Sequence, residues 1–117
     1  MDDRTTLGTR AEAVVADLLR ARGCAIVARN ARDPTGELDL VARRDRQVLV
    51  VEVRSRRGAG FDDALDSIGG DKRRRVRRMA ERWLSGRPVD YDEVRFCVAA
   101  VAWEGDEPRV RWIEDAF

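Results

Sequence analysis

The chain has 117 residues, a formal net charge of +1, 38% charged residues and 44% apolar ones, so we expect a single domain over residues 1–117. It contains no histidine, which excludes a Ser-His-Asp triad, a histidine-ligated zinc site and an imidazole general base. Lys72 is the single lysine among 23 basic residues. Catalysis would therefore have to use carboxylates, arginine, Lys72, Tyr91, hydroxyls or a bound metal ion.

Hydrophobic periodicity predicts seven elements in the order α-β-β-β-α-β-β. Apolar residues recur at helical spacing in two segments. The five other segments are either continuously apolar or alternate between apolar and polar residues, as strands do. This order is typical of an α/β layer with helices packed on a mixed sheet. The predicted helices are Thr9–Arg22 and Asp71–Ser85, and the predicted strands are Cys24–Ala28, Glu37–Arg43, Gln47–Arg54, Glu93–Trp103 and Arg109–Ile113.

Two connecting segments carry turn residues. The stretch Arg32–Gly36 contains Asp, Pro and Gly and is expected to be a turn. Farther along, Asp62, Asp63 and Asp66 lie between two glycine-rich stretches. This acidic segment is either a loop or a short helix, and the pattern does not decide between them.

The hairpin formed by the second and third strands is the most informative feature of the sequence. A two-residue turn at Asp45 and Arg46 pairs residues whose numbers sum to 91. In that register Asp39 faces Glu52 and Glu37 faces Arg54, all on one face. Strict alternation puts the apolar side chains of the second strand together on the other face, namely Leu38, Leu40 and Ala42.

Two carboxylates opposite each other repel, so folding alone gives no reason for Asp39 to face Glu52. A hard divalent cation such as Mg²⁺ would neutralise the pair, with waters and phosphate oxygens completing its coordination. Such an ion can support phosphodiester hydrolysis. The alternative is a solvated hairpin face whose acids pair with Arg43, Arg54 or Arg56.

These residues also resemble a known motif. Gly36–Asp39, followed after twelve residues by Glu52–Arg54, is similar to the core motif of the PD-(D/E)XK nuclease superfamily. The whole chain more closely resembles the YraN family, which is similar to archaeal Holliday-junction resolvases. The matching stretches are Leu7–Arg10 with Glu12, Gly23, Arg29–Asn30 with Arg32, Gly36–Leu40, Val51–Arg56, Lys72, Arg95–Phe96 and Ala116–Phe117.

The resemblance implies a restriction-endonuclease-like mixed β-sheet flanked by helices, and a site that binds one or two Mg²⁺ or Mn²⁺ ions. Asp39 and Glu52 match the family's metal-binding acids, and Glu12 matches an acid that completes the site in resolvase-like members. Read without the resemblance, Glu12 is a solvated acid in the first turn of its helix. Arg54 stands where the motif has lysine, and arginine stays charged and cannot act as a base. It can still stabilise phosphate charge.

The second helix supplies a basic surface beside the predicted site. Its arginines lie away from the apolar stripe, and positive charge of this kind suits contact with a phosphate backbone. The alternative is an ordinary solvated helix in an arginine-rich protein. The residues expected to bind nucleic acid, which we take to be DNA, are Arg56, Lys72, Arg73, Arg74 and Arg77.

Three functions therefore compete. The first is a Mg²⁺-dependent endonuclease acting on structured or branched DNA, a substrate class that rests on the resemblance. The second is a nucleic-acid-binding module on the same fold that has lost catalysis, and the third is a protein–protein adaptor. A resolvase acting on both strands would need a homodimer. No stretch reads as a signal peptide or membrane span, so we expect a cytoplasmic protein without a membrane partner.

Overall fold

The computed structural model describes residues 3–57 and 68–117. The elements follow the predicted order α-β-β-β-α-β-β, and the acidic segment containing Asp62, Asp63 and Asp66 lies outside the described residues. Within the described residues, neither helix is long and apolar enough to cross a membrane. The elements are α1 (Asp3–Ala21), β1 (Ala25–Asp33), β2 (Gly36–Arg44), β3 (Gln47–Arg57), α2 (Gly70–Ser85), β4 (Glu93–Glu104) and β5 (Glu107–Ile113).

The five strands form one mixed sheet in the order β1-β2-β3-β4-β5. Neighbouring strands are antiparallel except β3 and β4, which are parallel and are connected through α2. The predicted hairpin register is confirmed from Leu40, which pairs with Val51, to Arg44, which pairs with Gln47. The predicted mixed α/β fold is therefore the observed one.

The two helices cover opposite faces of the sheet because consecutive β3 residues alternate between two cores. Leu49 and Val51 pack with Val15 and Leu19 of α1. Val48 and Val50 instead pack with the buried stripe of α2. A central strand covered on both faces explains why this segment is almost continuously apolar. The stripe of α2 was predicted, and it consists of Val76, Met79, Ala80 and Leu84 with Trp83 half-buried at its edge.

The alternation in β2 is interrupted at Asp39, which corrects the sequence prediction for this strand. Leu40 packs on the α1 face, but Leu38 packs on the α2 face together with Val41. Strand β1 is interrupted at the same level, where Asn30 has a φ of 52°. Residues on either side of Asn30 keep one register with β2. The paired interruption turns the Asp39 side chain out of the regular alternation.

Other boundaries also differ from the predictions. β1 continues to Asp33 instead of ending at Ala28, so the predicted turn shrinks to Pro34 and Thr35. The Thr35 amide and hydroxyl both donate to the Asp33 carboxylate, which stabilises this tight connection. Helix α1 begins at Asp3, six residues before the predicted start. The helix therefore places Glu12 well inside its length.

The face switch at Leu38 can be tested with double-mutant cycles. Since Leu38 shares a core with Met79 of α2, Leu38→Ala and Met79→Ala should couple by about 0.5–3 kcal/mol in the free energy of unfolding. The matched control is Leu38→Ala with Val15→Ala, whose effects should add to within about 0.5 kcal/mol. Urea unfolding of the single and double variants measures both, and coupling to Val15 alone would contradict the described packing.

Candidate metal and phosphate site

An acidic cavity opens where β2 and β3 separate beneath the N-terminal half of α2. Its volume is about 320 Å³, and its lining includes Glu37, Asp39, Glu52 and Lys72. The cavity forms where the β2–β3 pairing ends at Leu40 and Val51, and acids of both strands line it. The sequence prediction that Asp39 and Glu52 share one site therefore agrees with the geometry, although the regular ladder does not reach them.

Asp39 is held by the backbone of the neighbouring strand. Its Oδ2 accepts a hydrogen bond of 2.9 Å from the backbone N–H of Val53. This bond satisfies a β3 donor just beyond the last regular β2–β3 pair, at Val51. The carboxylate is thus fixed at the edge of the separated strands, with its remaining lone pairs available to a ligand.

Glu52 is only 3% exposed, and it is the one charged residue that is buried among those described. Burial raises the pKa of Glu52 to about 8, with further contributions from a hydrogen bond and the negative charge of Asp39. Lys72 and Arg54 act in the opposite direction but do not outweigh these effects. With its pKa raised in this way, Glu52 keeps its proton at neutral pH and donates it in a hydrogen bond to the Asp39 carboxylate.

Lys72 enters this cavity rather than a remote basic surface. Its Nζ lies 3.7 Å from Oε2 of Glu52, and 36% of its side chain is exposed. The helix delivers it there because α2 packs across β2 and positions its first turn over the end of the β2–β3 pairing. The single lysine of the chain is thus the cation nearest to the buried acid among the described ion pairs.

Glu12 approaches Asp39 from the other face of the sheet. It lines a second cavity of about 360 Å³ together with Asn30, Glu37 and Asp39. Burial and the charge of Asp39 raise the pKa of Glu12, while a hydrogen bond from the Asn30 side chain lowers it. The interpretation of Glu12 as a solvated acid in the first helical turn is therefore wrong, because α1 begins nine residues earlier. Asp39 lines both cavities.

Glu37 does not pair with Arg54, the residue that it was predicted to face. Glu37 pairs with Arg32 on β1 at 3.5 Å, since β2 diverges from β3 and stays paired with β1 at this level. Arg54 follows Glu52 on the α2-facing side of β3, where its charge favours ionised Glu52. Its Nε is buried without a hydrogen-bond partner. Arg56, also half-buried, occupies the next position on that side of the strand.

The arginines of α2 lie on two different sides of the helix. This division could not be predicted from the composition. Arg73 donates to the Ile68 carbonyl oxygen at 3.0 Å, and Arg74 pairs with Asp71. The Arg77 guanidinium lies 4.6 Å from the centre of the Phe96 ring. The arginines that continue from the acidic cavity are three others, spaced three and four residues apart on one flank, namely Arg75, Arg78 and Arg82.

Arg75, Arg78 and Arg82 follow Lys72 at helical spacing, and this spacing is the signal in the sequence that could have identified them. Asn30 was also missed as a site residue. It lies in the motif-matching stretch Arg29–Asn30, and nothing in the sequence shows that it contacts Glu12.

The donor set is compatible with a hard divalent cation. Within residues 3–57 and 68–117, no three Asp, Glu or Cys side chains are grouped to hold a metal ion by themselves. Two convergent carboxylates remain, and Mg²⁺ is commonly held by one or two carboxylates with waters and phosphate oxygens. A cation bound between the two carboxylates would relieve the repulsion from Asp39 that helps to raise the pKa of Glu52.

Comparison with known proteins places this chain in a family. The family described as "Uncharacterised protein family UPF0102" matches residues 11–101. The chain belongs to the UPF0102 family. UPF0102 is the YraN group of PD-(D/E)XK-like proteins, as the motifs predicted. The matched range contains the acids of both cavities and Lys72.

The similarity extends over nearly the whole chain. It is 40% identical to a UPF0102 protein of Syntrophotalea carbinolica, over 97% of this chain and 93% of that protein. It is 41% identical to a UPF0102 protein of Nocardia farcinica, over 98% and 91% of the two chains. A UPF0102 protein of Rhodococcus jostii is 35% identical over 100% of both chains.

The pKa of Glu52 predicts how stability changes with pH in metal-free buffer. Because the folded-state pKa lies above the ordinary value of 4.5, the folded protein holds a proton that the unfolded chain releases between about pH 4.5 and 8. Raising the pH through this range should lower the free energy of unfolding by about 2–4 kcal/mol. Urea unfolding at a series of pH values measures this.

The matched variant is Glu52→Gln, which cannot ionise. It should remove most of this pH dependence and be more stable than the parent protein at pH 9. Glu81→Gln, an exposed change on α2, should leave the dependence unchanged. An equally steep dependence in Glu52→Gln would show that another group is responsible.

Proposed function

We propose that this UPF0102 protein is a metal-dependent endonuclease that hydrolyses phosphodiester bonds in structured or branched DNA. The observation that carries the proposal is the buried Glu52 beside Asp39 in an open cavity that also receives Lys72. An apolar residue in place of this buried acid would raise the stability of the fold, so stability alone does not explain the acid. Arginines continue outward from the cavity, as contact with a phosphate backbone requires.

Asp39 and Glu52 are the residues that would hold Mg²⁺ or Mn²⁺, as one or two ions. A bound ion of this kind polarises a phosphoryl group and lowers the pKa of a coordinated water. Asp39 is oriented for this role by the Val53 N–H. Glu12 would assist from the second cavity, where Asn30 restrains its carboxylate.

Lys72 and Arg54 have different roles in this proposal because their side chains differ in chemistry. Lysine can lose a proton and can orient or activate water, whereas arginine remains charged. Lys72 Nζ lies 3.7 Å from Glu52, so α2 supplies an amine beside the buried acid, whereas the motif's lysine position on β3 holds Arg54. Arg54 would stabilise negative charge on the phosphate, and Arg56 with the basic helix would hold the strand.

The proposal predicts cleavage of DNA that requires both a divalent cation and the acidic pair. Labelled four-way junction, flapped and linear DNA should be incubated with Mg²⁺ or Mn²⁺. Asp39→Asn and Glu52→Gln should each lower the cleavage rate by about 100-fold or more. Glu81→Gln removes an exposed carboxylate from α2 and should cleave at the parent rate. The measurement is product formation on denaturing gels.

Two results would contradict the enzymatic proposal. Cleavage that persists in Asp39→Asn and Glu52→Gln would indicate a contaminating nuclease. Absence of product from the parent protein, together with salt-sensitive DNA binding, would favour the binding module, for which Arg54 in the motif's lysine position is the supporting observation. If neither binding nor cleavage is seen, the adaptor is favoured.

A rescue experiment distinguishes the amine of Lys72 from its charge. Lys72→Gln should lower the cleavage rate by about 100-fold, and Lys72→Arg should not restore it because guanidinium keeps its proton. Arg54→Lys introduced into Lys72→Gln should recover part of the rate by returning an amine to the same buried acid. Parent-like cleavage by Lys72→Arg would show that Lys72 supplies only positive charge.

A further inference from the structure

A third cavity lies beside the acidic one, between the β1–β2 turn and the C-terminal half of α2. Its volume is about 480 Å³, and its walls include Pro34, Trp83 and Arg87. The Arg87 guanidinium lies 4.5 Å from the centre of the Trp83 ring. This cavity therefore combines an aromatic surface with a cation stacked on it, and neither has been used by the site described above.

The Trp83 cavity is connected to the acidic cavity by a continuous row of residues. Thr35 and Met79 line both cavities. A small cleft between them is lined by Thr35 with Arg75, Arg78 and Arg82. Arg75 also reaches the acidic cavity, and Arg82 also reaches the Trp83 cavity. We call this path from Glu52 past Arg75 and Arg78 to Trp83 the arginine groove.

Positive charge dominates the arginine groove outside the acidic cavity. Arg82 is bound to Asp33 at 3.1 Å, and Arg32 pairs with Glu37. Arg75 and Arg78 form no ion pair with the described residues, and both are exposed. Within residues 3–57 and 68–117 these two arginines have no carboxylate partner, and guanidinium groups on one helix flank suit the binding of phosphate groups.

We propose that the arginine groove binds an unpaired stretch of a nucleic-acid strand, with a base in the Trp83 cavity and phosphates on Arg75 and Arg78. The inference rests on the proposed function, because it names the class of substrate that leads into the acidic cavity. Channels for single strands combine a basic groove with aromatic side chains on which bases stack. The substrate class is thus DNA or RNA with unpaired bases, such as a flap or a single-stranded arm.

Fully paired duplex does not satisfy this groove. Its bases are stacked inside the helix, so its phosphates can reach the arginines but no base can enter the Trp83 cavity. An acidic peptide would pair with the arginines but carries no nucleobase to enter the Trp83 cavity. The combination of Trp83, Arg87 and a row of arginines therefore favours a strand that carries both phosphates and exposed rings.

The test is a binding measurement without divalent cation, so that cleavage plays no part. Fluorescence anisotropy should be measured with labelled oligothymidylate of about 12 nucleotides, with oligouridylate, with an abasic strand and with duplex of the same length. The parent protein should bind oligothymidylate more tightly than the abasic strand. Oligodeoxyuridylate, which differs from oligouridylate only in the sugar, shows by comparison whether the 2′-hydroxyl matters.

Trp83→Leu keeps an apolar side chain in the half-buried position but removes the stacking surface. It should weaken oligothymidylate binding by about 5- to 100-fold and leave binding of the abasic strand unchanged. Trp83→Phe should restore part of the affinity, because it returns an aromatic ring on which a base can stack. A loss caused by a packing defect would not be restored in this way. Thermal unfolding of each variant confirms that the fold is retained.

Arg75→Gln and Arg78→Gln should weaken binding of both oligothymidylate and the abasic strand and reduce the salt dependence of binding. Arg22→Gln, an exposed change after the end of α1, is the matched control and should bind like the parent.

The inference is overturned if Trp83→Leu binds oligothymidylate like the parent, or if it loses abasic and thymidylate binding equally. Preferential binding of duplex or of an acidic peptide would also overturn it. These outcomes are separate from the fate of the proposed function. If DNA is cleaved but Trp83→Leu does not change binding, the endonuclease proposal holds and the groove proposal fails. If the expected binding pattern is seen without cleavage, the arginine groove is a binding site and the endonuclease proposal fails.

Discussion

The burial of Glu52 beside Asp39 is the interaction on which the candidate site depends. A carboxyl group that is 3% exposed has lost most of its hydration, and a second acid next to it disfavours its ionised form further. Lys72 and Arg54 reduce this cost without removing it. The fold therefore maintains an electrostatic strain that a cation would relieve, which is typical of a functional site rather than of an ordinary ion pair.

Asp39 occupies its position because two neighbouring strands depart from regular alternation at the same level. Asn30 has a positive φ, and Leu38 packs on the α2 face while Leu40 packs on the α1 face. The carboxylate between those leucines is bound by the Val53 N–H. As a result Asp39 is accessible from the cavities on both faces of the sheet. The interruption breaks the regular alternation of β2 and places one acidic residue in both cavities.

Helix α2 connects this acidic centre to a basic exterior. Its apolar stripe fixes which flank faces the β1–β2 turn, and that flank carries Arg75, Arg78 and Arg82. The opposite flank carries Arg77 over Phe96. The same burial that stabilises the helix therefore sorts a run of similar arginines into different environments. A net charge of only +1 for the whole chain is compatible with a strongly positive local surface.

Local periodicity and turn length were enough to predict the element order, the apolar stripe of α2, the β2–β3 register from Leu40 to Arg44 and the nearness of Asp39 to Glu52. Tertiary packing was needed to show that Leu38 changes face, that Glu37 pairs with Arg32, that Glu12 lies well inside α1 beside Asn30, and which arginines adjoin the cavity. Those features depend on a paired strand interruption and on how α2 lies across the sheet. Neither feature leaves a periodic signal in the sequence. For the same reason the contact between Lys72 and Glu52 could not be predicted, because it depends on how α2 packs on the sheet.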